Sequence, residues 1–112
     1  MKSSIILVTN NGLGNADIPL QQKLAVKYFE LLSQNNELPS AICFYTEGVK
    51  LTMADSPALE QLKVLESKGV RIIICSTCLD YYGIKDKVQI GIVGGMPDII
   101  EAQTKASKVI TI

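Results

Sequence analysis

Short apolar runs alternate along the chain with segments in which apolar residues recur every three or four positions. A continuous apolar run is typical of a strand that is covered on both faces, as in a parallel sheet. The sequence therefore predicts a parallel α/β arrangement of alternating strands and helices. The predicted strands are residues 5–8, 41–45, 70–75 and 109–112, and residues 88–93 fit either a strand or an extended loop.

Helical periodicity marks the segments between these runs. Helices are predicted over residues 18–33, from 56 to about 69, over 79–82 and over 96–106. Ser56-Pro57 favours a helix start, because a hydroxyl side chain caps the first turn and proline fits the first helical position. Gly69 provides the stop of that helix. The first helix is predicted to have one apolar face, which consists of Leu20, Leu24, Tyr28, Leu31 and Leu32.

Length and composition indicate a single folded domain. The 112 residues are 47% hydrophobic and 20% charged, which is enough apolar material for a core. Eleven basic and eleven acidic residues cancel, so we expect neither nucleic acid nor a membrane surface as a partner. No apolar run approaches the ~18 residues of a membrane span. The first apolar run, residues 5–8, is too short for the apolar region of a signal peptide. The chain is therefore predicted to be cytoplasmic.

The side chains available limit the chemistry. The sequence has no histidine, so a Cys–His or Ser–His nucleophile pair within one chain is excluded. Three cysteines in a reducing compartment do not indicate a disulfide framework. Cys43 lies inside an apolar strand and is predicted to be a core residue. Cys75 and Cys78 are different, because they lie where the third strand gives way to a helix.

The Cys75-x-x-Cys78 pair is the candidate reactive centre. Ligands and active groups collect at the carboxyl ends of strands in open parallel sheets. A helix N-terminus there is expected to lower the pKa of a thiol, and the second cysteine can attack a sulfur adduct on the first. Packing alone, or a two-thiolate copper(I) or zinc site, are the other interpretations of the pair. We expect no cofactor and no bound metal.

Several flanking residues are predicted to contact the substrate. The loop after the first strand contains Gly12-x-Gly14, but Asp17 replaces the third glycine of a dinucleotide fingerprint. This loop is instead expected to turn beside the cysteines, with the first and third strands as neighbours. Hydroxyl donors and flexible glycines complete the predicted substrate-binding set, which is Asn11, Gly12, Ser76, Thr77, Gly94 and Gly95.

The segment 70–84, VRIIICSTCLDYYGI, resembles the cysteine signature of the DsrE/DsrF-like superfamily, and most closely that of the C-terminal domain of YedF-type sulfurtransferase-like selenium metabolism proteins. Residues 10–14, 44–52, 56–62 and 106–110 resemble the same family. The resemblance implies one DsrE-like domain over residues 1–112, folded as a three-layer α/β/α sandwich around a mainly parallel five-stranded sheet. It also implies a homo-oligomer, a dimer or trimer.

The better-understood members of that family relay sulfur as a cysteine persulfide, and the resemblance implies the same chemistry here. Matching the spacing to Gly83 places the usual sulfur-carrying position on Cys75, with Cys78 as an additional thiol. Ser76 departs from the glycine that usually follows the first cysteine. Residues 1–112 contain no counterpart of the N-terminal TusA-like domain of YedF-type proteins. We therefore expect the chain to act alone or to meet a separate partner such as a TusA-like carrier.

The sequence therefore predicts a sulfur-relay protein of uncertain enzymatic status in sulfur or selenium metabolism. A thiol–disulfide oxidoreductase that uses the same pair is one alternative. Against it, a thioredoxin-like domain carries its CxxC after an early strand, whereas here the pair lies two-thirds of the way along the chain. The other alternative is a non-catalytic module for soft-metal binding or assembly.

Overall fold

A computed structural model describes residues 3–112; Met1 and Lys2, which the predicted domain includes, lie outside the described residues. The chain forms one parallel sheet with the strand order β4-β3-β2-β1-β5. The strands are β1 (Ser4–Val8), β2 (Ala41–Phe44), β3 (Arg71–Cys75), β4 (Ile92–Gly94) and β5 (Lys108–Thr111). The helices are α1 (Ile18–Ser33), α2 (Leu59–Ser67), α3 (Ser76–Tyr82) and α4 (Met96–Lys105).

The strand order explains why helices cover both faces of the sheet. The chain steps in one direction from β1 to β4 and then crosses the whole sheet to reach β5. Because parallel crossovers are right-handed, α1 and α2 lie on one face and the returning α4 lies on the other. Accordingly, α1 packs against α2, and α4 packs against β3 and β4. The predicted α/β/α sandwich with a five-stranded sheet is confirmed, and the sheet is entirely parallel.

The core follows the apolar runs of the three inner strands. Every residue of β1 and β2 is buried, and so is β3 from Ile72 to Cys75. Leu59, Leu62 and Leu65 form the buried stripe of α2, at the spacing of one helix face. None of the helices formed by residues 3–112 is long and apolar enough to cross a membrane.

Helix α1 has the predicted bounds, but only part of its predicted apolar face forms the core, because Leu32 is buried and Tyr28 is partly buried. The residues it buries are Gln21, Ala25, Phe29, Leu32 and Ser33. Leu20, Leu24 and Leu31 are between 42% and 56% exposed. Each of them precedes a buried residue by one position, which rotates it by about 100° around the helix. Small Ala25 lets the helix approach the sheet and Phe29 fills the space beside it, so the leucine stripe is left outside.

Three local predictions need correction. Helix α2 begins at Leu59 rather than at Ser56-Pro57, and the Ser56 hydroxyl instead accepts a hydrogen bond from the Ala58 N–H at 3.2 Å in the preceding turn. The short third helix starts at Ser76, earlier than predicted. The first and third strands are not neighbours, because β2 lies between them.

The structure settles one ambiguous segment and adds one element that the sequence did not predict. Within the ambiguous stretch, Ile92 and Val93 belong to β4, which pairs with the end of β3. A 3-10 helix over Thr46–Thr52 follows β2 and was not predicted. It brings the segment after β2 to the carboxyl edge of the sheet, beside the cysteines.

Candidate functional site

The cysteine pair lies at the carboxyl end of β3, as predicted. Cys75 is the last residue of β3, and Gly94 on β4 is its partner in the sheet register. Helix α3 starts at the next residue and ends at Gly83, whose φ of 68° is the left-handed conformation favoured for glycine at a helix end. Cys75 is completely buried, whereas Cys78, in the first turn of α3, is half-buried.

The two thiols are close enough to interact. Both are free, and the Cys75 side chain lies within hydrogen-bonding reach of the Cys78 thiol. The backbone N–H of Thr46 donates a hydrogen bond to Cys78 Sγ at 3.1 Å. An N–H aimed at sulfur stabilises negative charge there, so this contact favours the Cys78 thiolate over the thiol.

Thr46 holds an unusual backbone conformation that directs its N–H. Its φ of 49° is left-handed, and Thr46 is the only non-glycine residue with a positive φ among residues 3–112. The Thr46 hydroxyl donates to Thr9 O at 2.6 Å, with Tyr45 O at 2.7 Å as a second acceptor. The Tyr45 N–H also donates to Val8 O at 3.1 Å. The segment after β2 is thereby tied to the end of β1, and the N–H of Thr46 is held towards Cys78.

Gly48 permits the close approach of these two segments. A Cβ atom placed on Gly48 would lie 2.2 Å from Val8 O and 2.8 Å from Val8 C. Real Cβ atoms do not approach backbone this closely, so only glycine fits without moving one of the segments. The 3-10 helix that supplies Thr46 depends on this contact for its position.

The electrostatics of Cys78 differ from the sequence prediction. Burial raises the pKa of Cys78, the Thr46 N–H lowers it, and the neighbouring Cys75 thiol raises it again, with a net rise. The prediction that a helix N-terminus lowers the pKa is therefore wrong for Cys78. Helix α3 spans only seven residues, and the stabilising N–H comes from another segment of the chain.

Charged and aromatic side chains adjoin Cys78. Lys50 Nζ lies 2.6 Å from a Glu47 carboxylate oxygen and 4.5 Å from the centroid of the Tyr82 ring. Partial burial and the Glu47 carboxylate raise the pKa of Tyr82, and charge on Cys78 adds to this rise. Tyr82 is thus an electrostatic neighbour of the half-buried thiol.

A cleft of about 250 Å³ opens beside these residues. It is lined by Asn11, Gln22, Lys50, Met53, Asp55, Ser56, Tyr82 and Ile84. Tyr82 belongs both to the cleft lining and to the surroundings of Cys78. Neither cysteine lines the cleft among the described residues, but Cys78 precedes Tyr82 by one turn on the same face of α3.

The structure separates the residues that were predicted to bind substrate. Asn11 lines the cleft, and Gly94 is the sheet neighbour of Cys75. Gly12 is buried and has a packing role, because a Cβ on it would lie 2.4 Å from atoms of Gln21 and its φ is 144°. The Leu13 N–H donates to Gln21 O at 2.9 Å, which holds the loop on α1.

The remaining predicted residues lie at the edge of the site. Ser76 and Thr77 form the start of α3, and within residues 3–112 neither hydroxyl bonds a thiol. The Gly95 N–H donates to Asp98 Oδ2 at 2.8 Å and so caps α4. Lys85, which follows α3, is ion-paired with Asp80 at 3.1 Å.

The third cysteine is a core residue. Cys43 is fully buried in β2, and burial raises its pKa to about 11. Among the described residues, no group of three or more histidine, cysteine, aspartate or glutamate side chains is arranged to hold a metal ion.

Sequence reasoning missed Thr46, Lys50 and Tyr82 as site residues. The available signal was that residues 46–52 directly follow an apolar strand, whose carboxyl end lies at the functional edge of a parallel sheet. Using that signal requires the knowledge that β2 is the strand next to β3, which the sequence does not provide.

Comparisons with known proteins agree with this architecture. The DsrE/DsrF-like family model matches residues 2–112. The fold is similar to the crystal structure of the YchN protein from E. coli, with a TM-score of 0.74 and 19% identity, and 100% of each chain is covered. It is also similar to MTH1491 from Methanobacterium thermoautotrophicum, a protein of unknown function, with a TM-score of 0.67 and 18% identity over 99% of this chain and 100% of that one. No curated protein sequence matches.

Proposed function

We propose, from the premise that this chain belongs to the DsrE/DsrF-like family, that it relays sulfur by carrying sulfane sulfur as a persulfide on the Cys75/Cys78 pair. The family is generally related to sulfur relay. The observation that carries the proposal for this chain is the pair itself: two free thiols in mutual reach, one of them half-buried with a backbone N–H on its sulfur.

The chemistry of persulfide transfer fits these features. A thiolate attacks the outer sulfur of a donor persulfide, and the new terminal sulfur is then available to another thiol. The transfer needs a sulfur that partners can reach, a group that stabilises thiolate charge, and space beside it. Cys78, the Thr46 N–H and the adjacent cleft supply these three features. We assign Asn11 and Gly94 to the surroundings of the transferred sulfur.

Partners and assembly form the second part of the proposal. The sulfur donor or acceptor is a separate protein such as a TusA-like carrier, and the relay operates in the cytoplasm. Likeness to YedF-type proteins, and with it a role in selenium metabolism, rests on the sequence resemblance of residues 70–84 and of the other matching segments. We also propose a homo-oligomer that covers the exposed leucine stripe of α1, since zero net charge leaves little repulsion between copies.

The proximity of the two thiols also favours a thiol–disulfide oxidoreductase as a second candidate. An oxidoreductase reduces the disulfides of insulin in the presence of a reductant, whereas a sulfur carrier gains the mass of one sulfur atom from a persulfide donor. Each assay thus gives a positive result for one candidate.

The relay is tested by intact-mass spectrometry of the reduced protein after exposure to a low-molecular-weight persulfide and desalting. The matched variants are the double substitution Cys75→Ala/Cys78→Ala and the control Cys43→Ala, which removes the core thiol. We expect sulfur uptake by wild type and by Cys43→Ala, and none by the double variant. Equal uptake by all three, or uptake by none, would reject the proposal.

A further inference from the structure

The two thiols of the pair differ in what can reach them. Cys75 has 0% of its surface exposed, at the end of an inner strand, whereas Cys78 is half-buried. Sulfur transfer requires the attacking thiolate to approach the donor sulfur directly, so access decides which thiol reacts first. The spacing to Gly83 placed the carrier on Cys75, and the burial of Cys75 argues against that assignment.

The surroundings also favour Cys78. Its sulfur receives the Thr46 N–H at 3.1 Å, and Tyr82 connects it to the cleft of about 250 Å³. The cleft lies one helical turn from Cys78, whereas Cys75 is completely buried, so a donor reaches Cys78 first. Thr46 is a positioning residue here, because it acts on the sulfur through its backbone while its hydroxyl fixes the segment.

We propose that Cys78 is the thiol that accepts sulfur and that buried Cys75 is the resolving thiol, which releases the sulfur as hydrosulfide. This assignment rests on the proposed relay function and adds a second activity to it. In the first step, the Cys78 thiolate attacks the outer sulfur of a persulfide R–S–SH. The donor S–S bond breaks, R–S⁻ leaves and takes up a proton, and Cys78–S–SH is formed.

In the second step, the Cys75 thiol gives up its proton to water and the resulting thiolate attacks Cys78 Sγ. The bond between Cys78 Sγ and the terminal sulfur breaks, and HS⁻ leaves with that electron pair. The two thiols are oxidised to a Cys75–Cys78 disulfide while the sulfane sulfur is reduced to hydrosulfide. Residues three apart at the start of a helix are close enough for such a bond, and their side chains are already in hydrogen-bonding reach. A dithiol reductant returns the disulfide to two thiols.

The release step competes with transfer to a partner. An acceptor thiol that reaches the Cys78 persulfide first removes the terminal sulfur intact, and the pair stays reduced. Without an acceptor, the adjacent Cys75 converts the persulfide to free hydrosulfide. The pair thereby provides two fates for one sulfur atom, chosen by the presence of an acceptor.

The test compares wild type, Cys75→Ala and Cys78→Ala after exposure to a small persulfide without added reductant. Alanine is chosen because a serine hydroxyl at the buried position 75 would lack a partner. Intact mass follows the added sulfur, and a sulfide-selective electrode follows HS⁻. Circular dichroism establishes that each variant is folded.

We expect Cys75→Ala to keep one added sulfur and to release no hydrosulfide. Cys78→Ala should take up sulfur at least about tenfold more slowly, because Cys75 reacts only when the local structure opens. Wild type should release hydrosulfide and lose the mass of two hydrogen atoms. Rapid uptake by Cys78→Ala with none by Cys75→Ala would overturn the assignment and leave the relay standing. A stable wild-type persulfide without hydrosulfide would overturn the release step, and no uptake by any of the three would reject the relay itself.

Discussion

Replacement of Thr46 by valine tests whether the N–H on Cys78 Sγ depends on the tether to β1. Valine has nearly the shape of threonine and keeps its backbone N–H, but it lacks the hydroxyl that donates to Thr9 O at 2.6 Å. Thr46→Ser is the matched control, because serine keeps a hydroxyl at the same position. Without the tether, the left-handed φ of 49° is free to relax and the N–H turns away from the sulfur.

The size of the effect follows from the two hydrogen bonds. The lost hydroxyl bond is worth about 1 kcal/mol, comparable to the roughly 1–2 kcal/mol cost of a left-handed non-glycine residue, so the segment can relax. A hydrogen bond to a charged group is worth roughly 1.5–3 kcal/mol. Because Thr46 is exposed, solvent screens part of this, so we expect its loss to cost the thiolate about 1.4 kcal/mol and to raise the pKa of Cys78.

The expected rate change is smaller than the change in thiolate population. A loss of about 1.4 kcal/mol of thiolate stabilisation lowers the thiolate fraction near neutral pH about tenfold, while each thiolate becomes about threefold more nucleophilic. Alkylation of Cys78 in Thr46→Val should therefore be about threefold slower than in wild type, and its pH–rate profile should shift to higher pH. Thr46→Ser should behave like wild type.

The assay follows the alkylation of Cys78 by iodoacetamide with mass spectrometry across a pH series, in a Cys75→Ala background that leaves one thiol in the pair. Equal pH–rate profiles for Thr46→Val and for the parent protein with Thr46, both in the Cys75→Ala background, would refute the role of the tether. A shift in both Thr46 variants would assign the effect to side-chain bulk rather than to the hydroxyl.

Three further predictions concern stability and assembly. In urea unfolding, Gly48→Ala should lower the free energy of unfolding by about 2–3 kcal/mol, because the new Cβ would lie 2.2 Å from Val8 O. The control Gly69→Ala has open space around its Cβ and should cost only about 1 kcal/mol, for its left-handed backbone. Equal costs for the two variants would contradict the clash at Gly48. Burial raises the folded-state pKa of Cys43 to about 11, so above pH about 8.5 the thiol ionises in the unfolded chain before it ionises in the folded protein. The contribution of this thiol to the free energy of unfolding should therefore fall as the pH rises through that range, by up to roughly 3 kcal/mol. The difference between wild type and Cys43→Ala in unfolding free energy should therefore narrow over that range, and a constant difference would contradict it. Leu24→Lys should shift light-scattering mass towards the monomer, and an unchanged oligomer would exclude the α1 stripe as its interface.

The sequence predicted the elements more completely than their packing. The bounds of α1 followed from periodicity, and Gly69 followed the end of α2 as expected for a left-handed position. The buried face of α1 could not be derived from periodicity, because Leu24 looks more suitable for a core than Ala25. Close contact between helix and sheet selected the smaller residue, and that contact is a property of the assembled fold.

The candidate site shows the same limit. The Cys75/Cys78 pair could be found from its spacing and its place after an apolar run, since both are local in sequence. The contribution of Thr46 could not be found in this way, because it comes from a segment 32 positions away and depends on β2 lying beside β3. The expected neighbourhood of β1 and β3 was wrong for the same reason: strand order is set by crossovers, which local pattern does not encode.

The central claim, that the pair carries the sulfur, is tested most directly by locating the added sulfur in the wild-type protein. After exposure to a persulfide donor and trapping with an alkylating reagent, trypsin yields a peptide of residues 72–85 with Cys75 and Cys78, and a peptide of residues 28–50 with Cys43. The account predicts an extra sulfur, or a donor-dependent internal disulfide, in the first peptide and an unmodified second peptide. Sulfur confined to the peptide of Cys43, or no change in either peptide, would contradict it.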